Sequence, residues 1–492
     1  MSVDVGMDKS TGAGISADTS ANVGTPAGAL FARHALLADG WRRNVLLEWD
    51  GRGDLVRVEP GAAAPSGVRQ ETYVLPGMVN LHSHAFQRAL GGLAEKAGEG
   101  AAGSDSFWTW RDLMYRFANR ITPGQMEAVA AQLYAECLRH GYTAVCEFHY
   151  VQRDPEGEMY AQPAETAQRI ARAAHGAGIG LTLLPVLYAH AGFGDAPLTP
   201  EQRRFRTDPG QVLRIVEALE PLRGPQLEVG AAPHSLRAVS PGQLRELVQA
   251  MPGERPLHIH VAEQELEVRQ CLDATGRRPV DLLFDQVDVD ARWCLVHATH
   301  LSDDEIALLA SSAAVAGLCP STEANLGDGL FPLARYIEAG GRFGIGSDSH
   351  VSQSPVEELR WLEYGQRLAQ RRRNVALGGG ERDVAAFLWR EALRGGAQAC
   401  ARPVGVLAPG CRADLLVLDS EHPNLDDGCI DAMDDMGSGA ADVLGRFLFC
   451  GNDNLVRDVL AGGRWVVRCG RHIDQDAIAA RYKSAVRALR AA

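Results

Sequence analysis

Apolar positions along this chain fall into two textures. Near both ends they alternate with polar positions at a period of two, the mark of half-buried strands. In the middle, short continuous apolar runs alternate with segments that are apolar every three or four residues. The first texture predicts strands over 30–37, 44–48, 56–58 and 71–75, with Asp50-Gly51 as a turn. The second predicts strands over 73–81, 143–148, 180–188, 226–232, 256–262, 293–298, 314–319 and 342–347. Helices are predicted between them over 123–140, 163–177, 211–219, 241–250, 265–272, 303–311 and 333–339. Two more, 355–371 and 383–400, follow the last strand. Strand texture returns over 414–418, 444–449, 455–461 and 464–467, and 475–492 reads as a closing helix.

Strand–helix units in such a series predict an α/β fold, a (β/α)8 TIM-type barrel over 76–402. A doubly wound open sheet is the alternative, weakened because no Gly-rich phosphate loop follows a strand. The β segments 29–75 and 403–492 each need a partner, so together they predict a small composite β-sandwich domain. Residues 1–28 are rich in Gly, Ser, Thr and Ala and have neither the basic nor the apolar region of a signal peptide. They read as a disordered leader.

Composition narrows the partners. The chain has 492 residues, 46% hydrophobic and 23% charged, as expected of a globular protein. Its net charge of −13 argues against nucleic acid or a polybasic membrane surface. There are three lysines, Lys9, Lys96 and Lys483, so nearly all positive charge is arginine. The ten cysteines are scattered without a C-x-x-C pair, which predicts reduced thiols and a cytoplasmic protein. No apolar run approaches the roughly 18 residues of a membrane span.

Barrels of this kind carry their active groups at the C-terminal ends of the strands. Strand one ends NLHSHAF, with His82 and His84. Strand four leads into PHSLR, with His234 and Arg237. Strand five reads LHIHVAEQ, with His258, His260 and Glu263. Strand six ends VHATH, with His297 and His300, and strand eight ends GSDSH, with Asp348 and His350. A lone strand histidine is usually a hydrogen-bonded core residue. Histidines and an aspartate at the same end of several strands predict a divalent metal instead, Zn²⁺ or Fe²⁺. His82 and His84, at i and i+2, share one face of their strand, as two ligands of one ion must.

This His-x-His-to-Asp series resembles the amidohydrolase superfamily, over about residues 29–480. The resemblance implies one or two metals. Two-metal members commonly bridge their ions with a carboxylated lysine on strand four. Here every lysine lies outside the predicted strands, which favours one metal. By resemblance to mononuclear deaminases the ligands are His82, His84, His260 and Asp348. The metal would lower the pKa of its water to roughly 7, giving a hydroxide that attacks a C=N carbon. Glu263 would carry a proton to the departing nitrogen. His297 would hydrogen-bond the hydroxide or polarise the C=N, and Asp348 would serve as ligand and base. His258 is expected to orient a ligand, and His300 and His350 to be rim or neighbouring residues.

The stretches HSHAFQRALGGLAE, FWTWRDLMYRF, CEFHYV, PHSLRAVS, HIHVAEQ and GSDSHVS together are similar to the formimidoylglutamate deiminases of histidine degradation. That resemblance implies hydrolysis of N-formimidoyl-L-glutamate to N-formyl-L-glutamate and ammonia, by a homodimer. It points to Gln87, Arg111, Tyr150, His234 and Arg237 as substrate-binding residues. Arginine pairs carboxylates bidentately, so Arg237 and Arg111 are the expected clamps for a dianionic amidine. The aromatic segment around Arg111 is expected in the loop after strand one, excluding water. Two other readings stand beside this one. A deaminase of a nucleobase or related heterocyclic amine needs no arginine pair. A catalytically dead barrel serving in assembly should have lost ligands, and none is missing here.

Overall fold

The computed structural model describes residues 26–95, 107–425 and 441–491. Four strands open it: β1 (Pro26–Leu37), β2 (Gly40–Asp50), β3 (Leu55–Glu59) and β4 (Arg69–Pro76). β1 starts at Pro26, so 26–28 are strand rather than leader; the rest of the predicted leader lies outside the described residues.

The predicted strand 73–81 is in fact two. β4 ends at Pro76 and β5 (Met78–Ser83) begins the barrel. Gly77 is the joint. Its N–H donates to the Asp414 carbonyl at 3.0 Å, and a Cβ there would come within 2.2 Å of Thr143. Only glycine lets the chain pass from one sheet to the other at this spot.

The barrel continues with β6 (Tyr142–His149), β7 (Gly180–Leu187), β8 (Leu227–Val229), β9 (Ala232–Pro233), β10 (Leu257–Val261), β11 (Trp293–His297), β12 (Val315–Leu318) and β13 (Arg342–Ile345). All pairings are parallel, in two arcs, β5-β6-β7-β8 and β10-β11-β12-β13. Bridges Ser83↔Asp348 and Ser235↔His260 close the two seams. β8 and β9 are halves of the fourth strand, interrupted at Gly230, where a Cβ would meet the Pro256 carbonyl at 2.3 Å. Every residue of β5, β6, β7, β10 and β11 is buried, as a parallel sheet covered on both faces requires. Helix Val384–Cys400 meets the barrel interior with its C-terminal end. There Thr182 Oγ donates to the Cys400 carbonyl at 2.7 Å.

Past the barrel come β14 (Leu415–Leu418), β15 (Val456–Ala461), β16 (Arg464–Arg468) and β17 (Arg471–His472). β14 lies antiparallel beside β4, so both chain ends form one eight-stranded sheet, β17-β16-β15-β14-β4-β1-β2-β3. The β3 edge turns back on β14's approach: Leu55 N–H donates to Cys411 O and Gly410 N–H to Leu55 O. Leu30, Leu47, Leu55, Val74, Leu415 and Leu460 form the separate core between the halves.

The predicted strand 444–449 is a helix, Ala441–Phe449. Val443, Leu444, Phe447 and Leu448 are all buried, a helical spacing, and Phe447 packs on Trp389 with ring centroids 5.4 Å apart. The segment expected as a loop around Arg111 is also a helix, Phe107–Ala118.

Candidate active site

The ends of three strands, β5, β10 and β13, put four donor atoms in one place. His82 Nε2 lies 3.1 Å from His84 Nε2 and 3.0 Å from His260 Nε2. Asp348 Oδ1 lies 3.4 Å from His82 Nε2 and 3.3 Å from His84 Nε2. His84 Nδ1–H donates to the Phe148 carbonyl at 2.9 Å and His260 Nδ1–H to the His234 carbonyl at 3.0 Å. Those bonds leave the Nε2 lone pairs of both rings facing the centre. Burial holds His82 and His260 well below the usual imidazole range and lowers His84, so the rings are neutral, the form that binds metal. Lone pairs and a carboxylate crowded together repel unless a cation sits among them. Zinc–nitrogen distances of roughly 2.0–2.1 Å around a tetrahedron give edges of about 3.3 Å, close to those observed. The residues fit a divalent cation.

Backbone strain concentrates at the same place. Ala262, His297, Ala298, Asp348 and His350 take φ of 51°, 66°, 48°, 45° and 67°, the left-handed region that L-residues avoid. All five stand just at or past barrel strand ends.

Beside the donors, His297 Nε2 is 3.7 Å from Glu263 Oε1 and 3.9 Å from Asp348 Oδ2. Its Nδ1–H points to Glu323 Oε1 at 3.3 Å. Burial opposes charge on His297, but Glu263, Glu323 and Asp348 outweigh it and raise its affinity for a proton. Burial, reinforced by nearby carboxylates, pushes Glu263 up to about 7. Its N–H is fixed by Glu267 Oε2 at 3.1 Å.

These groups form one end of a cavity. Gln87, Arg111, Tyr150, His234 and Arg237 line it too. Gln87 Nε2–H donates to Tyr150 Oη at 2.9 Å, while Gln87 Oε1 is buried with no protein donor among the described residues. Arg237 is buried, with Nε 4.0 Å from Glu267 Oε1.

Residues 73–466 match the amidohydrolase family, and residues 28–71 match the N-terminal domain of formimidoylglutamate deiminase HutF. The chain is 53% identical to the formimidoylglutamate deiminase of Pseudomonas aeruginosa, across 91% of this chain and 96% of that protein. The chain belongs to the amidohydrolase family, among the formimidoylglutamate deiminases. The crystal structure of an amidohydrolase from Brucella melitensis superposes with a TM-score of 0.86 at 45% identity, covering 94% of this chain and 99% of the other. An adenosine deaminase from Xanthomonas campestris, solved with bound zinc, shares the amidohydrolase fold with a TM-score of 0.75 at 21% identity, covering 94% and 98%.

In this amidohydrolase barrel all eleven residues expected from sequence meet at the cavity or at the donor cluster under it. The three accessory histidines do not. His258 lies one layer deeper, its Nε2–H capping the Ala399 carbonyl at 2.9 Å, so it orients no ligand. His300 Nε2–H donates to the Asp328 carbonyl at 2.8 Å. His350 is buried against Ser347 Oγ at 3.0 Å. Trp110, Met114 and Tyr115, from the aromatic segment expected to exclude water, also line the cavity; sequence reasoning missed Tyr188, Phe205 and Leu326, which line it too. It also missed Glu323. That residue lies in the first turn of the short helix Pro320–Leu326, whose signals, proline at the start and Gly327 after the end, were present but unread.

Proposed function

We propose that this chain is a metal-dependent deiminase that hydrolyses N-formimidoyl-L-glutamate to N-formyl-L-glutamate and ammonia. The observation that carries the reading is one cavity holding two arginines, Arg111 and Arg237, together with a four-donor cluster and an acid–base pair. His82, His84, His260 and Asp348 would hold one divalent cation per chain, Zn²⁺ or Fe²⁺. When bound, it supplies a Lewis acid that makes water acidic near neutral pH.

The rest of the chemistry belongs to side chains. Glu263 takes a proton from the attacking water and delivers it to the imine nitrogen as the C–O bond forms and C=N becomes C–N. Asp348, as base, takes the remaining hydroxyl proton, which passes to the same nitrogen as C=O forms, the C–N bond breaks and neutral ammonia leaves. His297, its Nδ1 held by Glu323, keeps Nε2 toward Glu263 and Asp348, where charge develops. Arg111 and Arg237 pair the two carboxylates, and Gln87, Tyr150 and His234 hold the chain between them. A neutral heterocycle has no use for two guanidinium groups. The reading extends to a cytoplasmic homodimer. It is supported by an apolar stripe of exposed Trp361, Tyr364 and Leu368 on one helix. Among the described residues no helix is long and apolar enough to cross a membrane.

Ammonia release from N-formimidoyl-L-glutamate, with metal content measured on the same sample, tests the proposal. Rapid release with about one metal per chain is the expected result. A metallated protein that releases no ammonia would overturn the substrate.

A further inference from the structure

Two phenols on the cavity wall are controlled by one hidden amide. Gln202 is buried behind them, 2% exposed, in the turn after β7. Its Oε1 accepts the Thr199 N–H at 3.0 Å, which settles which end of the amide is oxygen. Its Nε2 therefore faces the phenols and donates to Tyr188 Oη at 2.9 Å and to Tyr115 Oη at 3.2 Å. A phenol has one hydrogen, and an oxygen that accepts keeps that hydrogen free to donate. The two phenols also hydrogen-bond each other, which uses one of their two hydrogens; with both oxygens accepting from Gln202, the other hydrogen is left for the cavity. What the pair offers the cavity is hydrogen, not lone pairs.

The pair is rigid. Tyr188 N–H donates to Thr207 Oγ at 2.8 Å and Tyr188 O accepts the Thr207 N–H at 2.9 Å. Both rings pack on Phe205 with centroids 5.7 Å apart. Burial pushes the Tyr188 phenol far above its usual range, so it stays protonated. Arg111 lies 5.4 Å over the Tyr115 ring, and Arg237 lines the same cavity. Hydrogen-bond donors beside guanidinium groups suit an anion.

We propose that the Tyr115–Tyr188 pair donates a hydrogen bond to a carboxylate of the substrate, and that Gln202 is the positioning residue that keeps the pair a donor. This inference rests on the function proposed above. Gln202→Glu is nearly isosteric but reverses the polarity: a carboxylate accepts from the phenols and draws the pair's free hydrogen away from the cavity. The test is calorimetric binding of N-formyl-L-glutamate, beside KM and kcat for ammonia release, in metal-loaded wild type, Gln202→Glu, Tyr115→Phe and Tyr188→Phe. Binding should weaken at least tenfold in Gln202→Glu and about threefold to tenfold in each Phe variant. The loss in kcat/KM should fall mainly on KM. Metal content and melting temperature serve as fold controls, and if Gln202→Glu does not fold, the Phe variants decide. Unchanged or tighter binding would overturn the inference. A wild type that neither binds N-formyl-L-glutamate nor releases ammonia would instead overturn the proposed function.

Discussion

Replacing Glu263 by Gln isolates proton transfer from metal binding. Glu263 contributes none of the four clustered donor atoms; its Oε1 faces His297 Nε2 at 3.7 Å. The substitution keeps the side chain's volume and leaves the backbone N–H bond to Glu267 intact. What it removes is the titration. Burial, with Asp348 and Glu267 nearby, sets the carboxyl at about 7, against the pull of His297 and Arg237. A group there is about half protonated at neutral pH, suited both to accept a proton and to return it. Losing such a group costs about 10²–10⁴ in rate. At 1.36 kcal/mol per decade that is about 3–5 kcal/mol of barrier. The assay is ammonia release at saturating N-formimidoyl-L-glutamate, with metal measured by atomic emission on the same protein. The expected variant keeps its metal and loses kcat by that factor. A loss below tenfold would refute the acid–base role. Metal lost along with activity would place Glu263 among the ligands instead.

Asp348→Asn should lower metal content and activity together, since Oδ1 is one of the four donors; full activity at full metal would remove Asp348 from the site. Arg237→Ala should lower kcat/KM for the dianionic substrate by about 10- to 100-fold, the usual size of a charge-assisted hydrogen bond; an unchanged kcat/KM would reject the clamp. Glu358 offers a pH test away from the chemistry. Burial holds its carboxyl at about 8 despite hydrogen bonds from Ser321, against 4.5 unperturbed. The folded chain therefore keeps a proton that the unfolded chain gives up. This contribution to stability is full below about pH 4.5 and is lost as pH rises through about 8. Glu358→Gln has no such proton, so its Tm should fall less between about pH 5 and pH 8 than that of the wild type; equal slopes would reject the assignment.

The metal donors were readable because strand geometry leaves little freedom. His82 and His84 share a face at the end of a buried strand, and parallel register brings the other strand ends alongside. The arginines were readable only through the stretches of sequence around them. Tyr188 was not, because in LLPVLYAH it extends an apolar run and looks like core. It is buried like core, yet it also lines the cavity. His258 shows the opposite failure. Period two puts it on the same face as His260, but a barrel interior has layers, and two residues down is a different layer. The run 444–449 was misread because six apolar-rich residues carry too few repeats to separate a period of two from 3.6.

The buried acids add a reason for the site's precision that composition alone hides. Glu147 accepts from Ser83 Oγ at 2.6 Å, the Ala85 N–H at 2.7 Å and Tyr134 Oη at 3.1 Å, clamping the loop that carries His84. Glu323 takes the Cys319 N–H at 2.9 Å and faces His297, while Glu267 takes the Glu263 N–H. Glu358 does the same for Ser321 N–H at 2.9 Å. Each is a buried glutamate bound to a backbone N–H in a loop at the active end of the barrel. Such loops hold the left-handed residues at His297, Asp348 and His350, conformations that persist only when the surroundings over-determine them. A backbone amide bound to a buried acid is a firm tether, because a buried N–H left without its partner is costly. Part of the chain's acid content is therefore internal, and it serves to hold neutral imidazoles and a strained aspartate where a cation needs them.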